Sequence, residues 1–575
     1  MRRHLFQAWA DHAAALALVA LAAALPFELT RPAVVAGSLW LSTVEVLVYA
    51  ALGLSMLAAL IGAQSFRSAP LPVGAGAVVA WMAVLLLSAG LAREPRDDAA
   101  KFALRSVAAA GLAFGVARAT ALPWARGAIL GALGVGAGLS AALGAYEGVD
   151  PSFAAALAPF RTQSFSLAGY PRAMGTFQYP TIAAMFWEAA APVTVALLAV
   201  RPFGSRPLAM MVTGLVGALF GAAIAATLSR AGLAVALGAL LMLTGVAWRR
   251  FPQVLAPAAA GLIGFGLAAA LVFLASPALN ARLRSESDTA LNRADVRVTS
   301  GVPVSMAGGA PFTLTIEATN LGIEAWPARG PRAVVASYHW VDEDRVTYLL
   351  FEGARTALPM DIAPGATVAL ELRGVAPIRA GRVLLQLDLQ RQDGAWFTQK
   401  GNSMPEFLVE LTPAPFAPVE TPAAAARAYL PPSEQGEVGR LDLWRVALRM
   451  AAERPLFGAG PDNFRHLYGT YLDRREFNTS IHANSLYFDT LANLGLAGLA
   501  AVLALAYAVT RRAWGIVRAT PMDRGAWLAV AVLLSLGAYF AHGALDYFLE
   551  FTPTYGLFWV LVGCAAQPRR GVARA

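Results

Sequence analysis

The stretch Leu208–Arg250, LAMMVTGLVGALFGAAIAATLSRAGLAVALGALLMLTGVAWRR, decides what kind of fold this chain can have. It holds two apolar runs, 208–228 and 231–248, each long enough to cross roughly 30 Å of hydrocarbon as a helix. Almost no loop lies between them, so they read as a membrane hairpin. Working outward, similar runs fall near 12–30, 37–62, 72–92, 102–119, 125–146, 181–200 and 252–276, and again near 485–510, 525–543 and 547–566. The run at 102–119 is marked by Lys101 and Arg105 at its start. The prediction is a polytopic α-helical membrane protein of about twelve transmembrane helices. Composition agrees: of 575 residues, 57% are hydrophobic and 14% charged, too apolar for an ordinary soluble enzyme.

The net charge of +9 does not form a stripe or patch suited to nucleic acid; the basic residues alternate with the spans. With the N-terminus placed in the cytoplasm, the cytoplasmic segments carry Arg2, Arg3, Arg67, Arg118, Arg126, Arg201, Arg206, Arg249, Arg250, Arg511, Arg512, Arg518, Arg524, Arg569, Arg570 and Arg574, as the positive-inside rule requires. The opposite side then receives 93–101, 147–180, 228–231, 277–484 and 544–550, which are the candidate functional surfaces. Arg2, Arg3 and the Ala/Leu run behind them resemble a secretory signal, but further spans follow at once and an uncleaved first helix is expected. The single cysteine, Cys564, lies in the last span, so an intrachain disulfide is impossible.

Between the ninth and tenth spans the pattern changes to short alternating segments: Phe312–Ala318, Ala333–Trp340, Thr347–Phe351, Val368–Leu372 and Arg382–Leu389. They are rich in β-branched and aromatic residues and are separated by Gly, Pro and Asp turns. This predicts an inserted all-β sandwich of immunoglobulin-like type, with Asp342, Glu343 and Asp344 in a hairpin turn. Its spacing serves a glycan-binding or partner-binding module and a spacer equally well. The expected division is 1–285 for a first transmembrane block, 286–412 for the sandwich, 413–438 for a Pro/Ala-rich linker and 439–575 for a second block. That second block opens on an amphipathic helix with Leu441, Trp444, Ala447, Leu448 and Ala451 on one face, suited to the membrane surface.

Three segments outside the cytoplasm join ionisable residues to a tight setting: TLSRAG at 227–232, GRLDLWRVALRMAAERPLFGAGPDNF at 439–464, and SIHANSLYFDTLANLGLAGL at 480–498. A fourth phrase, GTFQYPTIA at 175–183, precedes the sixth span. Taken in this order, the four resemble the O-antigen ligase and polymerase family of lipid-linked glycan transferases. The resemblance covers both membrane blocks and excludes the sandwich.

The resemblance implies a GT-C-like membrane enzyme of the bacterial inner membrane, with its large domain in the periplasm. It further implies metal-independent transfer, without a cofactor, of a glycan from undecaprenyl diphosphate to an acceptor hydroxyl such as that of the lipid A core. Its catalytic residues would be Arg230, Arg440 and His482. The physics is compatible: arginine is permanently charged and its planar fork matches phosphate oxygens. Arg230 stands where almost no loop separates two spans, and a charge in hydrocarbon costs roughly 3 kcal/mol; the alternative is that it snorkels to the headgroups. His482 is open to two roles, as a neutral base for the acceptor hydroxyl or as a cation holding phosphate. Family members often carry a second His or an Asn two positions later; here it is Asn484, which cannot exchange protons, so the proton work falls to His482.

Arg161, Arg172, Tyr179, Trp444, Asn484, Arg474 and Arg475 are further substrate-binding candidates, with solvated loop residues, or for Trp444 an interfacial anchor, as the plainer reading. Asp546 and Glu550 read as solvated caps. Ligation, glycan polymerisation and transfer to a protein hydroxyl share the same donor, so the motifs leave all three open. A transporter or flippase would need broken helices and midplane charges, whereas the ionisable residues here collect at one face. A structural membrane protein carrying a binding module would tolerate loss of Arg230, Arg440 and His482.

Overall fold

The computed structural model describes residues 2–36, 39–62, 69–93, 95–167, 170–200, 205–276, 291–330, 332–345, 347–391, 396–413, 438–474, 477–519 and 523–566. They form two compact units: 1–165, 172–276 and 439–575 in one, 166–171 and 277–438 in the other.

The first unit is a helical bundle. Its helices are α1 (Arg2–Ala24), α2 (Thr43–Ile61), α3 (Ala75–Leu91), α4 (Arg96–Ala119), α5 (Ala125–Val149), α6 (Pro180–Ala199), α7 (Arg206–Ala226), α8 (Arg230–Arg250), α9 (Leu255–Ala275), α10 (Arg440–Glu453), α11 (Phe464–Leu467), α12 (Leu486–Arg518), α13 (Arg524–His542) and α14 (Thr552–Cys564). Ten of the described helices are long and apolar enough to cross a membrane, and α3 is a shorter apolar helix. The chain is therefore a polytopic helical membrane protein. Large apolar side chains point outward, as Ile263, Leu267, Leu271 and Leu274 do along α9, while small residues line the contacts between helices. The seam between α7 and α9 is built on glycines: a Cβ at Gly217 would strike the Gly261 carbonyl, and one at Gly221 that of Phe265. Close backbone approach of this kind replaces the hydrophobic drive that lipid removes.

The spans end differently from the hydropathy reading in places. The first helix ends at Ala24, and the second begins only at Thr43, where Ser42 and Glu45 close a capping box. The residues before it form a small hairpin of β1 (Val34–Ala36) and β2 (Leu39–Leu41), because a polar cap stops a helix more sharply than an apolar run predicts. In α4, the charge at Arg105 is met by Glu45, 3.1 Å away and buried. A second two-stranded pair, β3 (Phe165–Leu167) with β4 (Tyr170–Arg172), follows α5 in the chain, and its residues 166–171 belong to the second unit.

The second unit holds two sheets around one core. Strands β5 (Ala294–Val298), β7 (Pro311–Asn320) and β11 (Thr367–Val375) make an antiparallel sheet in the order β11-β7-β5. The larger sheet runs β10 (Thr356–Ala357), β8 (Val334–Asp342), β12 (Gly381–Arg391), β13 (Glu406–Thr412) and β6 (Ser305–Ala307), with β9 (Tyr348–Leu350) on β8. Alternate residues of β7 and β11 face inward, so that Leu314, Ile316 and Leu372 meet Trp340, Leu385 and Leu387 in one cluster. The acidic run follows β8 into a turn that Asp342 and Thr347 close by a backbone hydrogen bond. Most of the expected linker, 414–437, lies outside the described residues.

The amphipathic helix corrects the sequence reading. In α10 the buried side chains are Leu443, Val446, Ala447, Met450 and Ala451, whereas Leu441 and Leu448 are exposed. The helix carries two apolar stripes, and the one that packs on α12 is fixed by Trp444, whose indole N–H donates to the Ala483 carbonyl at 3.0 Å.

Candidate functional site

The starts of α6, α8, α12 and α14 are brought together by Arg172 on the Thr227 carbonyl, Tyr179 on Phe551 and His482 on Glu550, and those of α2 and α4 by Arg105 on Glu45. The TLSRAG turn belongs to the first of these groups. Thr227 hydroxyl donates to the Ile224 carbonyl, Leu228 takes a positive φ of 57°, and Ser229 caps α8 by accepting the Gly232 amide. Arg230 is thereby the first residue of α8, with its side chain exposed. Arg172 Nε donates to the Thr227 carbonyl at 2.9 Å, which ties the loop before α6 to this turn. Arg206 and Arg524 also open side-chain-capped helices, so position at a capped helix start is not what distinguishes Arg230; the positive φ of Leu228 just before it is.

Arg440 is the first residue of α10, after an uncapped Gly439, and is exposed. It stands within electrostatic reach of His542, whose Nδ1 lies 2.9 Å from Glu188 Oε2 in the buried interior. Arg161 is placed differently: it is 4% exposed and paired at 2.6 Å with Glu147. The other Glu147 oxygen accepts the amides of Met174 and Gly175, so this pair shapes the GTFQ loop from within. Tyr179 precedes α6, with its ring against Phe165 and Phe551. Arg475 lies outside the described residues.

The two long motifs interlock. Helix α12 is broken at Gly495, where φ is 65° and ψ −163°, and the phrase PLFGAG pairs with the break. Ala459 and Gly460 amides donate to the carbonyls of Ala492 and Asn493, while Leu496 and Ala497 amides donate to those of Pro455 and Leu456. Glycine is required on both sides: a Cβ at Gly495 would lie 2.5 Å from the Leu456 carbonyl carbon, and one at Gly458 would strike that of Asn493. Asn493 completes the join, accepting the Phe464 amide and donating to Asp489 at 2.6 Å.

This join sets His482. Asn484 takes a positive φ of 49°, Trp444 holds the Ala483 carbonyl, and Asp489 accepts the Ala483 amide at 3.0 Å. Asn484 and Trp444 thus shape the turn that presents the imidazole. His482, 6% exposed, stacks on Tyr547 with ring centroids 4.8 Å apart. Three carboxylates surround it. Nδ1 is 3.3 Å from Asp489 Oδ2, Nε2 is 2.9 Å from Glu550 Oε2, and Asp462 Oδ1 is 3.9 Å away. Burial pulls the imidazole down, but Glu550 and Asp489 overcome it and raise its pKa well above the ordinary histidine value. Burial opposes ionisation of Glu550, yet His482 brings its pKa below the ordinary value. Asp462 is pushed by burial up to about 6, against the pull of His482 and Arg465. The carboxylates around it therefore favour the protonated form of the imidazole. Among the described residues, no group of three or more His, Cys, Asp or Glu is arranged to hold a metal ion.

Sequence reasoning missed the three acids. Asp462 stood inside a motif phrase and Asp489 seven residues after His482, and Glu550 was read as a cap. Nothing in the spacing of 462, 489 and 550 announces that they share one imidazole.

A family model described as O-antigen ligase matches residues 424–503, the segment that contains Arg440, Asp462, His482, Asp489 and the broken helix. The match supports the O-antigen ligase family and, in general terms, a membrane enzyme that transfers glycan as ligase or polymerase. No curated protein matches the chain. Among solved structures, the alkylpurine DNA glycosylase AlkC of Pseudomonas fluorescens, bound to DNA containing an abasic site analog, aligns at 12% identity over 58% of this chain and 96% of that one. Its TM-score of 0.13 carries no argument about fold or function.

Proposed function

We propose that this chain is an O-antigen ligase-like glycosyltransferase, which moves a glycan from undecaprenyl diphosphate to an acceptor hydroxyl of the lipid A core at the periplasmic face of the inner membrane. The observation that carries the reading is the interlock of the two long motifs, which builds one buried imidazolium–carboxylate cluster at the end of the bundle that also bears Arg230 and Arg440. In this reading the two arginines, each the first residue of a helix, bind the diphosphate and stabilise the charge that develops as it leaves. His482 stays protonated and sets the charge of the acids around it. Tyr179 and Arg172 shape the donor-side wall, and the second unit, an immunoglobulin-like sandwich in the periplasm, receives or spaces the glycan. The reaction needs no metal in this scheme, because arginines supply the cationic charge.

Polymerisation uses the same donor and the same site, with a lipid-linked glycan as acceptor. The test is transfer by purified protein in detergent without added metal, offering both lipid A core and free donor as acceptors. Product on the core establishes a ligase, and lengthened lipid-linked glycan a polymerase. Arg230→Ala, Arg440→Ala and His482→Ala are each expected to lower transfer by about 100-fold or more, with the protein still inserted. Full activity in correctly inserted variants would remove the site assignment.

A further inference from the structure

Beside the cluster, a cavity of about 400 Å³ opens between the β1–β2 hairpin, α4 and the start of α11. Trp40, Lys101, Arg105, Arg465 and Asp462 are among its lining residues. Its chemistry suits a sugar. Trp40 is 54% exposed and carries the Arg105 guanidinium over its ring at 5.0 Å. Lys101 pairs with Asp98 at 3.7 Å and Arg465 with Asp462 at 2.8 Å. Alternating cations and carboxylates beside an aromatic face offer donors and acceptors to hydroxyl groups on several sides, which a diphosphate does not need and a glycan does.

One atom points this cavity toward chemistry. Asp462 is 6% exposed, and its Oδ1 has no hydrogen-bond partner among the described residues. Oδ2 is held by Arg465 Nε, while Oδ1 stands 3.9 Å from His482 Nε2. The backbone at Asp462 takes a φ of 65°, a conformation that non-glycine residues seldom adopt and that concentrates at functional sites. A buried carboxylate oxygen with a distant ion-pair neighbour but no hydrogen bond is costly unless something arrives to meet it.

We infer that the cavity is the acceptor-glycan subsite and that Asp462 Oδ1 is the general base for the acceptor hydroxyl. The inference rests on the transferase reading above. The acceptor oxygen forms its bond to the anomeric carbon as the bond from that carbon to the diphosphate oxygen breaks. The electron pair leaves with the diphosphate, and the hydroxyl proton passes to Asp462 Oδ1 and from there to water in the cavity. His482, Arg465 and Glu550 face the carboxyl from the neighbouring elements, with Asp98, Lys101 and Arg105 across the cavity. His482 is then a positioning residue, whose positive charge keeps Asp462 ionised near neutral pH.

The experiment is steady-state transfer by the full chain in detergent, from undecaprenyl-diphosphate polysaccharide to core-terminated lipopolysaccharide, measured from about pH 5 to about pH 8 because a base works best near its own pKa. The wild-type kcat should rise through about pH 6 and then level. Asp462→Asn should lower kcat by about 100-fold or more with little change in the donor KM, and Asp462→Glu should recover part of it. Lys101→Ala should raise the acceptor KM several-fold without a matching change in the donor KM. His482→Gln should keep residual activity that increases at higher pH, because Asp462 loses its positive neighbour. A flat wild-type profile, or Asp462→Asn with wild-type kcat, overturns the inference while leaving the transferase reading in place. A wild-type protein that transfers to neither core nor free donor overturns both.

Discussion

His482 carries opposite demands at the scale of a single side chain. Burial disfavours its charge, and the Glu550 and Asp489 carboxylates beside it favour it. The carboxylates win, so the proton is part of the folded structure. A group whose folded pKa is raised contributes stability that is complete below its unfolded value of about 6.5 and is lost as pH rises through the higher folded value. Glu550, lowered by the same partner, contributes stability above its unfolded value of about 4.3 that is lost as pH falls through the depressed one. Asp462 works the other way, since folding favours its proton up to about 6. Melting of the wild-type protein should therefore be most resistant between the Glu550 and His482 limits. His482→Gln should lose the alkaline limb of that profile, and an unchanged limb would show that another group carries it.

For the elements, the decisive feature is the broken helix α12. A residue at φ 65° and ψ −163° is in a region open essentially to glycine, where other residues cost about 1–3 kcal/mol before any clash. Gly495→Ala should thus lower the melting temperature and weaken insertion, and Gly458→Ala should do the same through the opposite partner; a melting curve equal to wild type for both would mean that the interlock does not hold the site. A polytopic helical protein was legible, since ten of the described helices are long and apolar enough to cross a membrane where about twelve spans were expected, and long apolar runs have few other solutions. Neither the break nor the face of α10 was. Hydropathy reports neither φ nor partner, and α10 has two apolar stripes between which only the Trp444 tether decides. The same limit applies to the site. His482 and the arginines stood out by motif, but Glu550, sixty-eight positions along the chain from His482, is brought to it only by tertiary packing.

For the molecule as a whole, the two units answer to different solvents. The bundle exposes Leu and Ile on its outer face and packs glycine against backbone, whereas the two sheets bury their own Trp, Leu and Phe core. Residues 291–413 produced alone should therefore fold as a soluble β unit with a cooperative melt, checked by circular dichroism; a chain without β signal would show that its core depends on the bundle. Chain order matters too. Residues 455–460 leave the ribosome ahead of 492–497, so when α12 enters the bilayer its unwound turn finds the four hydrogen-bond partners already made. A circular permutant opened within 469–473 would synthesise the gap before the strip that fills it, and each backbone group left waiting in hydrocarbon would cost several kcal/mol.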